Sequence, residues 1–389
     1  MFCYRASLLC LGTAWLATPA LGQSPFDDTF PTWEVETAAD LAVIATPGGG
    51  NADGDIRPEA VLYEIGLSLN TSRFLDNGAE IGVRSALRIQ KDHPARPGFA
   101  GDLPTGRPGA PAALSDLQGG EPISAGPRGR LEVAHVYLRG GYGELSAGRD
   151  TGVAARFQEG QTGPLRFSTL DAPRLDALGL GLVTTRLDPT GPSAKLSYTT
   201  PRLLGLQGGV SYTPQREADG LDRASRGPDT DLSDTVEVAL NLSRRLAGSG
   251  ARLRVGAGYI SGTPARGAGT VDGWSTGAEL DLGVMAFGVS ALEADEGLAG
   301  GRYRAVSAGA GREFGDWEVG VRVGRADSDG LGLEAHSWSL SAGRELGRGL
   351  SIAGALQSQR LEPSGIGQTD ARFVRQNDSA VIEITLTIG

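Results

Sequence analysis

The sequence predicts an all-β fold, a 16-stranded antiparallel transmembrane β-barrel with one long loop folded inward as a constriction. Three observations carry that expectation. Apolar and polar residues alternate with period 2 along nearly the whole chain, in segments of about ten residues, the length of a tilted strand that crosses a bilayer. The connections between these segments alternate strictly between long and short, as they do in outer-membrane barrels. Apolar residues make up 40% of the chain. Past its first segment it nevertheless holds no apolar run of about 18 residues, so helical membrane spans are excluded.

The strands follow in order. Trp33, Val35, Thr37, Ala39, Leu41 and Val43 share one parity, with Glu34, Glu36 and Asp40 on the other. Val61, Tyr63, Ile65, Leu67 and Leu69 alternate with Glu64, Gly66, Ser68 and Asn70. Asp76-Asn77-Gly78 is a strong hairpin signal, because Asn-Gly accepts the positive φ such turns need. Ile81, Val83, Leu87 and Ile89 then oppose Gly82, Arg84, Ala86, Arg88 and Gln90. Two hairpins follow, Leu131–Arg139 with Glu144–Arg149 and Ser193–Thr200 with Leu203–Thr213, separated by an irregular stretch from Asp150 to about Gly191. Beyond them the alternation resumes around Val236, Leu253, Trp274, Met285, Arg302, Trp317, Trp338 and Leu350, and ends on Ile382, Ile384, Leu386 and Ile388. The segment Arg302–Glu313 has ambiguous parity.

Long connections fall at 45–59, 91–130, 150–192, 214–232, 262–272, 294–301, 327–334 and 361–378. Short ones centre on residues 77, 141, 202, 248, 283, 315 and 347. A soluble β-sandwich has no reason to sort its loops by length. The apolar parity also has too few large side chains to fill so wide a lumen, so it is expected to face lipid. The Pro- and Gly-rich stretch 91–130 reads either as a folded loop or as a disordered insertion on the rim.

Composition narrows the function. The 60 glycines and two methionines disfavour a helical bundle. Basic residues are almost all arginine, with lysine only at Lys91 and Lys195, which suits fixed ion-pair networks on a polar wall. Residues 1–22 read as a signal peptide: Arg5 supplies the positive region, Ala6–Ala17 the apolar stretch, and Ala20-Leu21-Gly22 the cleavage site. Both cysteines, Cys3 and Cys10, lie within it, so the barrel, residues 23–389, is expected to carry no disulfide or thiol chemistry. Its acidic balance argues against nucleic acid as a partner.

A pore's chemistry resides in the charges at its narrowest point. The candidate lining bases are Arg84, Arg88, Arg139, Arg149, Lys195, Arg252, Arg254 and Arg322, with His135 and Tyr137 beside Arg139. Arg149 shares the apolar parity of Leu145 and Ala147, so it reaches inward only through a bulge or past the strand's end. The candidate loop acids are Asp150, Glu159, Asp171 and Asp176. Folded inward, they are expected to face part of the basic wall and set a transverse field across a wet constriction. Any single arginine on a polar face is also an ordinary solvated charge. Arg84 with Arg88, on one inward face, favours the functional reading.

Two motifs resemble the trimeric general porins of Gram-negative outer membranes. Gly143-Glu144-Leu145-Ser146-Ala147-Gly148-Arg149 is similar to the Gly-x4-Gly-Arg strand leading into that family's constriction loop. The stretch from Ser197 to Leu206, with Tyr198, Thr200 and Pro201, is similar to its Tyr-x-(Ser/Thr)-Pro hairpin. The chain departs from the family in ending on Leu386-Thr387-Ile388-Gly389 rather than on Phe. The resemblance implies passive diffusion of small hydrophilic solutes and ions, a homotrimer, contact with outer-membrane lipid and lipopolysaccharide, and no cofactor.

Other chemistry is weakly represented. His93, His135 and His336 are scattered, so no metal site is expected. The segments 51–55 and 327–330 look like calcium loops but lack a correctly spaced twelfth-position Glu, and acidic Gly-rich turns explain them. No Walker loop, nucleophile elbow or dinucleotide fingerprint sits in a strand–helix context, so an enzyme is not expected. Two alternatives stay open: a substrate-selective channel of the same fold, and a non-conducting barrel serving as adhesin or structural anchor.

Overall fold

The computed structural model describes residues 33–47, 50–53, 57–94, 126–216, 221, 232–248, 250–264, 270–295, 301–329, 332–364 and 374–389. Residues 1–22, expected to be a signal peptide, and most of the Pro-rich 91–130 segment lie outside the described residues.

The strands are β1 (Glu34–Ala45), β2 (Asn51–Asp53), β3 (Val61–Phe74), β4 (Glu80–Lys91), β5 (Arg128–Gly140) and β6 (Gly143–Asp150). After a four-residue helix, α1 (Val153–Arg156), come β7 (Ser193–Thr199), β8 (Leu206–Gln215), β9 (Leu232–Arg245), β10 (Arg252–Pro264) and β11 (Val271–Asp281). The last six are β12 (Met285–Asp295), β13 (Arg302–Phe314), β14 (Trp317–Ser328), β15 (Leu333–Gly347), β16 (Leu350–Pro363) and β17 (Arg375–Ile388). Each long strand pairs antiparallel with its sequence neighbours, and β1 pairs with both β3 and β17, which closes the circuit. The result is a 16-stranded antiparallel barrel. The three-residue β2, which the alternation did not mark, lies outside the circuit and pairs with Gln376–Asp378 of β17.

Closure matters physically because an open sheet edge in lipid would leave backbone donors and acceptors unpaired. Inside the circuit, register keeps parity: Val321 pairs with Ala310 and Leu340, and all three lie on the outward face. Val321, Val323, Leu340, Leu356, Ile382 and Ile384 are exposed, as expected of a lipid-facing surface. Phe74, Tyr142, Phe314 and Trp317 lie toward the short turns. Tyr212, Tyr259, Trp274 and Trp338 lie toward the long loops. These are the two aromatic girdles of a membrane barrel.

The short turns show why they are short. At Asn77-Gly78, the Ala79 N–H donates to Asn77 Oδ1 at 3.0 Å and Gly78 sits at φ 77°. The β7–β8 turn is wider than the Pro201-Arg202 pair suggests. It spans residues 200–205, is held by a Leu203–Leu206 bridge, and has Leu204 and Gly205 at positive φ.

The ambiguous parity of the Arg302 segment has a structural cause. On β13, Tyr303, Ala305 and Ser307 point inward and are buried while Val306 is exposed outward. Toward the long-loop end the inner wall is itself apolar, with Ile260, Leu292, Tyr303, Leu333 and Leu361 buried in one cluster. The outward face carries Arg302 and Arg304 at that end and turns apolar only from Val306, so the polarity of the two faces swaps along the strand and the period-2 signal fades.

Candidate functional site: an inward-folded loop against the barrel wall

Between β6 and β7 the chain enters the barrel and travels around its inner wall. α1 comes first, its Ala154 N–H donating to Glu237 Oε2 on β9 at 3.1 Å. Asn241 on β9 then donates to Glu159 at 2.7 Å. Gly160 O accepts from both terminal nitrogens of Arg322 on β14 at 3.2 Å. On β17, Glu383 accepts from the Arg166 and Ser168 N–H groups, each at 2.8 Å, and from Ser168 Oγ at 2.8 Å. Arg174 reaches Glu64 on β3, and the Asp176 N–H donates to Asp92 past the end of β4 at 2.9 Å.

The chain then doubles back. Leu180 N–H donates to Gln359 on β16 at 2.9 Å, and Thr184 N–H to Tyr303 Oη on β13 at 2.8 Å. Thr190 donates to Glu237 at 2.7 Å, and Lys195 on β7 donates to Thr190 Oγ1 and Gly191 O. The loop therefore lies along the wall from β8 round through β17 and β1 to the long-loop end of β3.

Apolar burial fixes this path. Leu180, Leu182, Val183 and Leu187 join the wall cluster around Tyr303, while Phe167, Leu175, Ala177 and Leu178 pack on Ala42, Ile44, Leu62 and Val381. Glycines on the inward parity let the loop backbone approach. A Cβ at Gly256 would overlap the Phe157 carbonyl, and one at Gly277 would overlap the Glu159 carbonyl. These two residues face each other across β10 and β11.

The loop acids do not stand across open water from the basic wall. Asp171 is fully buried and accepts from Thr185 N–H (2.7 Å), Ser307 Oγ (2.7 Å) and Arg322 (3.4 Å). Asp176 accepts from Gln359 at 3.1 Å and Gly181 N–H at 2.9 Å, and is buried. Asp150 lies 3.4 Å from both His135 and Arg156. Glu159 turns to Asn241 and Arg254. A buried carboxylate is stable only with such partners, so the side chains expected to face solvent serve instead to dock the loop.

The wall bases divide. Arg322 and Lys195 are buried against the loop. Arg88 is mostly covered, 3.9 Å from Glu64 and 3.8 Å from Glu132. Arg84 and Arg139 both bond Glu144, Arg84 at 3.0 Å and Arg139 at 2.7 Å, with Tyr137 between them. Arg254 bonds Glu279. Arg252 is exposed at the short-turn rim, opposite Arg245 and Asp281. Arg149 pairs with Ala134 and Ala194 without any register shift, so no bulge turns it from the outward parity toward the lumen.

Sequence reasoning missed Arg156, Arg174 and Arg186 on the loop, and Glu64, Glu144, Glu237 and Glu383 on the wall. The readable trace was inward glycine on successive strands, which marks where another backbone lies against a sheet. The fold also brings Glu334, His336 and Glu362 together on the outward face of β15 and β16, the ligand atoms within 4.8 Å of one another. Arg325 and Arg360 bond the two carboxylates there. That cross-strand meeting was not visible in the scattered histidines.

A closed membrane barrel with long loops on one rim and a loop lining its lumen has the architecture of a diffusion channel of the outer membrane. The chain belongs to the Gram-negative porin family, which it matches over residues 6–363. It is similar in structure to Salmonella typhi OmpF, at a TM-score of 0.58 and 12% identity, covering 92% of this chain and 98% of that one. It is similar too to an anion-selective porin from Comamonas acidovorans, at 0.55 and 15% identity, covering 92% and 100%. Pseudomonas putida OprB superposes at 0.58 with 13% identity, covering 92% and 94%. No match is found among curated proteins.

Proposed function

We propose that residues 150–192 form the constriction of a general diffusion channel, and that small hydrophilic solutes and ions pass between this loop and the wall of β3–β6. The observation that carries this reading is the loop's docking against β9–β17, from Glu237 round to Glu383. Arg84 and Arg139, on β4 and β5, keep their side chains partly exposed, at 29% and 47%. Arg88, Arg252 and Arg254 contribute to the basic side, while Asp150, Glu159, Asp171 and Asp176 shape the passage by holding the loop in place.

The outer surface supports two further assignments. Toward the long-loop end, β12–β16 carry a crown of outward charges, among them Glu293, Arg302, Arg304, Arg325, His336 and Arg360. This crown suits the phosphate- and cation-rich layer of lipopolysaccharide. The face of β3–β5 presents Ile65, Leu67, Leu69, Ile81, Val83, Val136 and Leu138 instead, and suits contact with other copies in a homotrimer.

Planar-bilayer recording of the purified protein tests the channel reading. Steady ohmic current steps are expected; no current at all would remove it. Current blocked by one particular solute would shift the assignment to a substrate-selective channel. Arg84→Ser with Arg88→Ser is expected to move the reversal potential toward cations.

A further inference from the structure

Among the described residues most ion pairs of the lumen share an orientation, Arg88–Glu132 at 11% and 19% being an exception. In Arg174–Glu64 the arginine side chain is 37% exposed and the carboxylate 1%. The figures are 40% and 18% for Arg186–Asp188, 25% and 10% for Arg156–Asp150, and 36% and 10% for Arg254–Glu279. The wall cluster repeats the pattern, Arg84 at 29% and Arg139 at 47% over Glu144 at 13%. In each pair the arginine side chain is more exposed than the carboxylate it meets, although Arg156 keeps Nε and Nη2 buried.

Arginine is longer than Asp or Glu, but reach alone does not account for this. Two of the carboxylates beside these arginines are drawn back by further bonds of their own. Asp150 accepts from the Thr151 N–H at 2.8 Å, and Glu159, the second acid beside Arg254, accepts from Asn241 at 2.7 Å. The remaining loop acids, Asp171 and Asp176, are buried altogether. Charges are screened over about 8–10 Å at ordinary salt, so a permeating ion responds mainly to the layer it passes. That layer is arginine, supplied by loop and wall together.

We infer that the passage prefers anions, and that Arg174 and Arg186 on the loop, with Arg84 on the wall, set this preference. The solutes favoured are inorganic anions and small molecules bearing carboxylate or phosphate, groups that the guanidinium fork pairs with directly. This rests on the constriction reading above. The net charge of the whole chain, −10, argues for the opposite sign, which makes the measurement discriminating.

The test is the zero-current potential of the full chain in planar bilayers under a KCl gradient. Chloride is expected to be more permeant than potassium, with the preference shrinking as salt rises. Arg84→Gln with Arg186→Gln is expected to move the potential toward potassium while current steps persist, and Arg186→Lys to retain the original sign. Current steps with potassium preferred in the unaltered protein would overturn this inference and leave the channel intact. An unchanged potential in the double variant would overturn the residue assignment. Absence of any current would overturn both this and the constriction reading.

Discussion

Asp171, at the far side of the inward loop, lies 3.4 Å from Arg322 on β14, and the two side chains are 1% and 6% exposed. The residues are 151 positions apart in sequence, and Ser307 hydrogen-bonds both of them. The pair fastens the loop to the wall where no water reaches, which makes its charges structural rather than a field for passing ions.

Breaking such a pair from one side costs about 3–5 kcal/mol, because the other charge stays buried. Asp171→Ala is therefore expected to lower the stability of the loop's docked state and raise open-channel current noise. Replacing both residues by apolar ones, Asp171→Leu with Arg322→Met, is expected to recover only part of the loss, because Gly160 O and the Thr185 N–H lose these partners. Urea unfolding and single-channel noise measure the two effects.

Glu383 clamps the loop by its backbone, accepting from three consecutive N–H groups at Arg166, Phe167 and Ser168. Hydrogen bonds to a charged acceptor contribute about 1.5–3 kcal/mol each. Glu383→Ala is expected to speed amide exchange at residues 166–168 while β17 amides stay protected, as read by hydrogen-exchange mass spectrometry.

Gly277 faces the carbonyl of Glu159 with no room for a side chain. Gly277→Val is expected to push the loop toward the lumen and reduce single-channel conductance, with a stability cost of about 1–3 kcal/mol from overpacking. Gly354→Ala is the matched control, since its Cβ would meet only the Val381 carbonyl, at 3.8 Å. Conductance there is expected to be unchanged.

Val321 lies on the lipid face between the levels of Trp317 and Trp338. Val321→Arg is expected to cost about 2–4 kcal/mol, the depth-dependent penalty for a cation in the hydrocarbon of a barrel. An arginine replacing His336, exposed within the charged crown, is expected to cost far less. Reversible unfolding from vesicles distinguishes the two.

Much of this molecule was legible in the sequence because strand periodicity is local. Side chains alternate at every residue of a pleated strand, so Val321, Val323 and Leu340 announce their lipid face without reference to anything distant. The sorting of long and short connections then gives the rims, and the irregular stretch after Asp150 gives the loop that enters the lumen. The signal weakened on β13, where Tyr303 and Ala305 face inward beneath the loop while Arg302 and Arg304 face outward, the reverse of the usual polarity.

The orientation of individual charges was decided by the tertiary structure. Whether Asp171 faces water or Arg322 depends on where a loop with no period of its own lies down. That depends in turn on Gly256 and Gly277 clearing a path, and on leucines finding the apolar inner wall. Arg149 stays on its outward parity because β5, β6 and β7 pair without a shift there, and Lys195 is spent on Thr190 and Gly191. Sequence determined the barrel, its faces and its inward loop, since these follow from contacts within and between neighbouring strands. Which charges line the passage and which fasten the loop required the packing of residues more than a hundred positions apart.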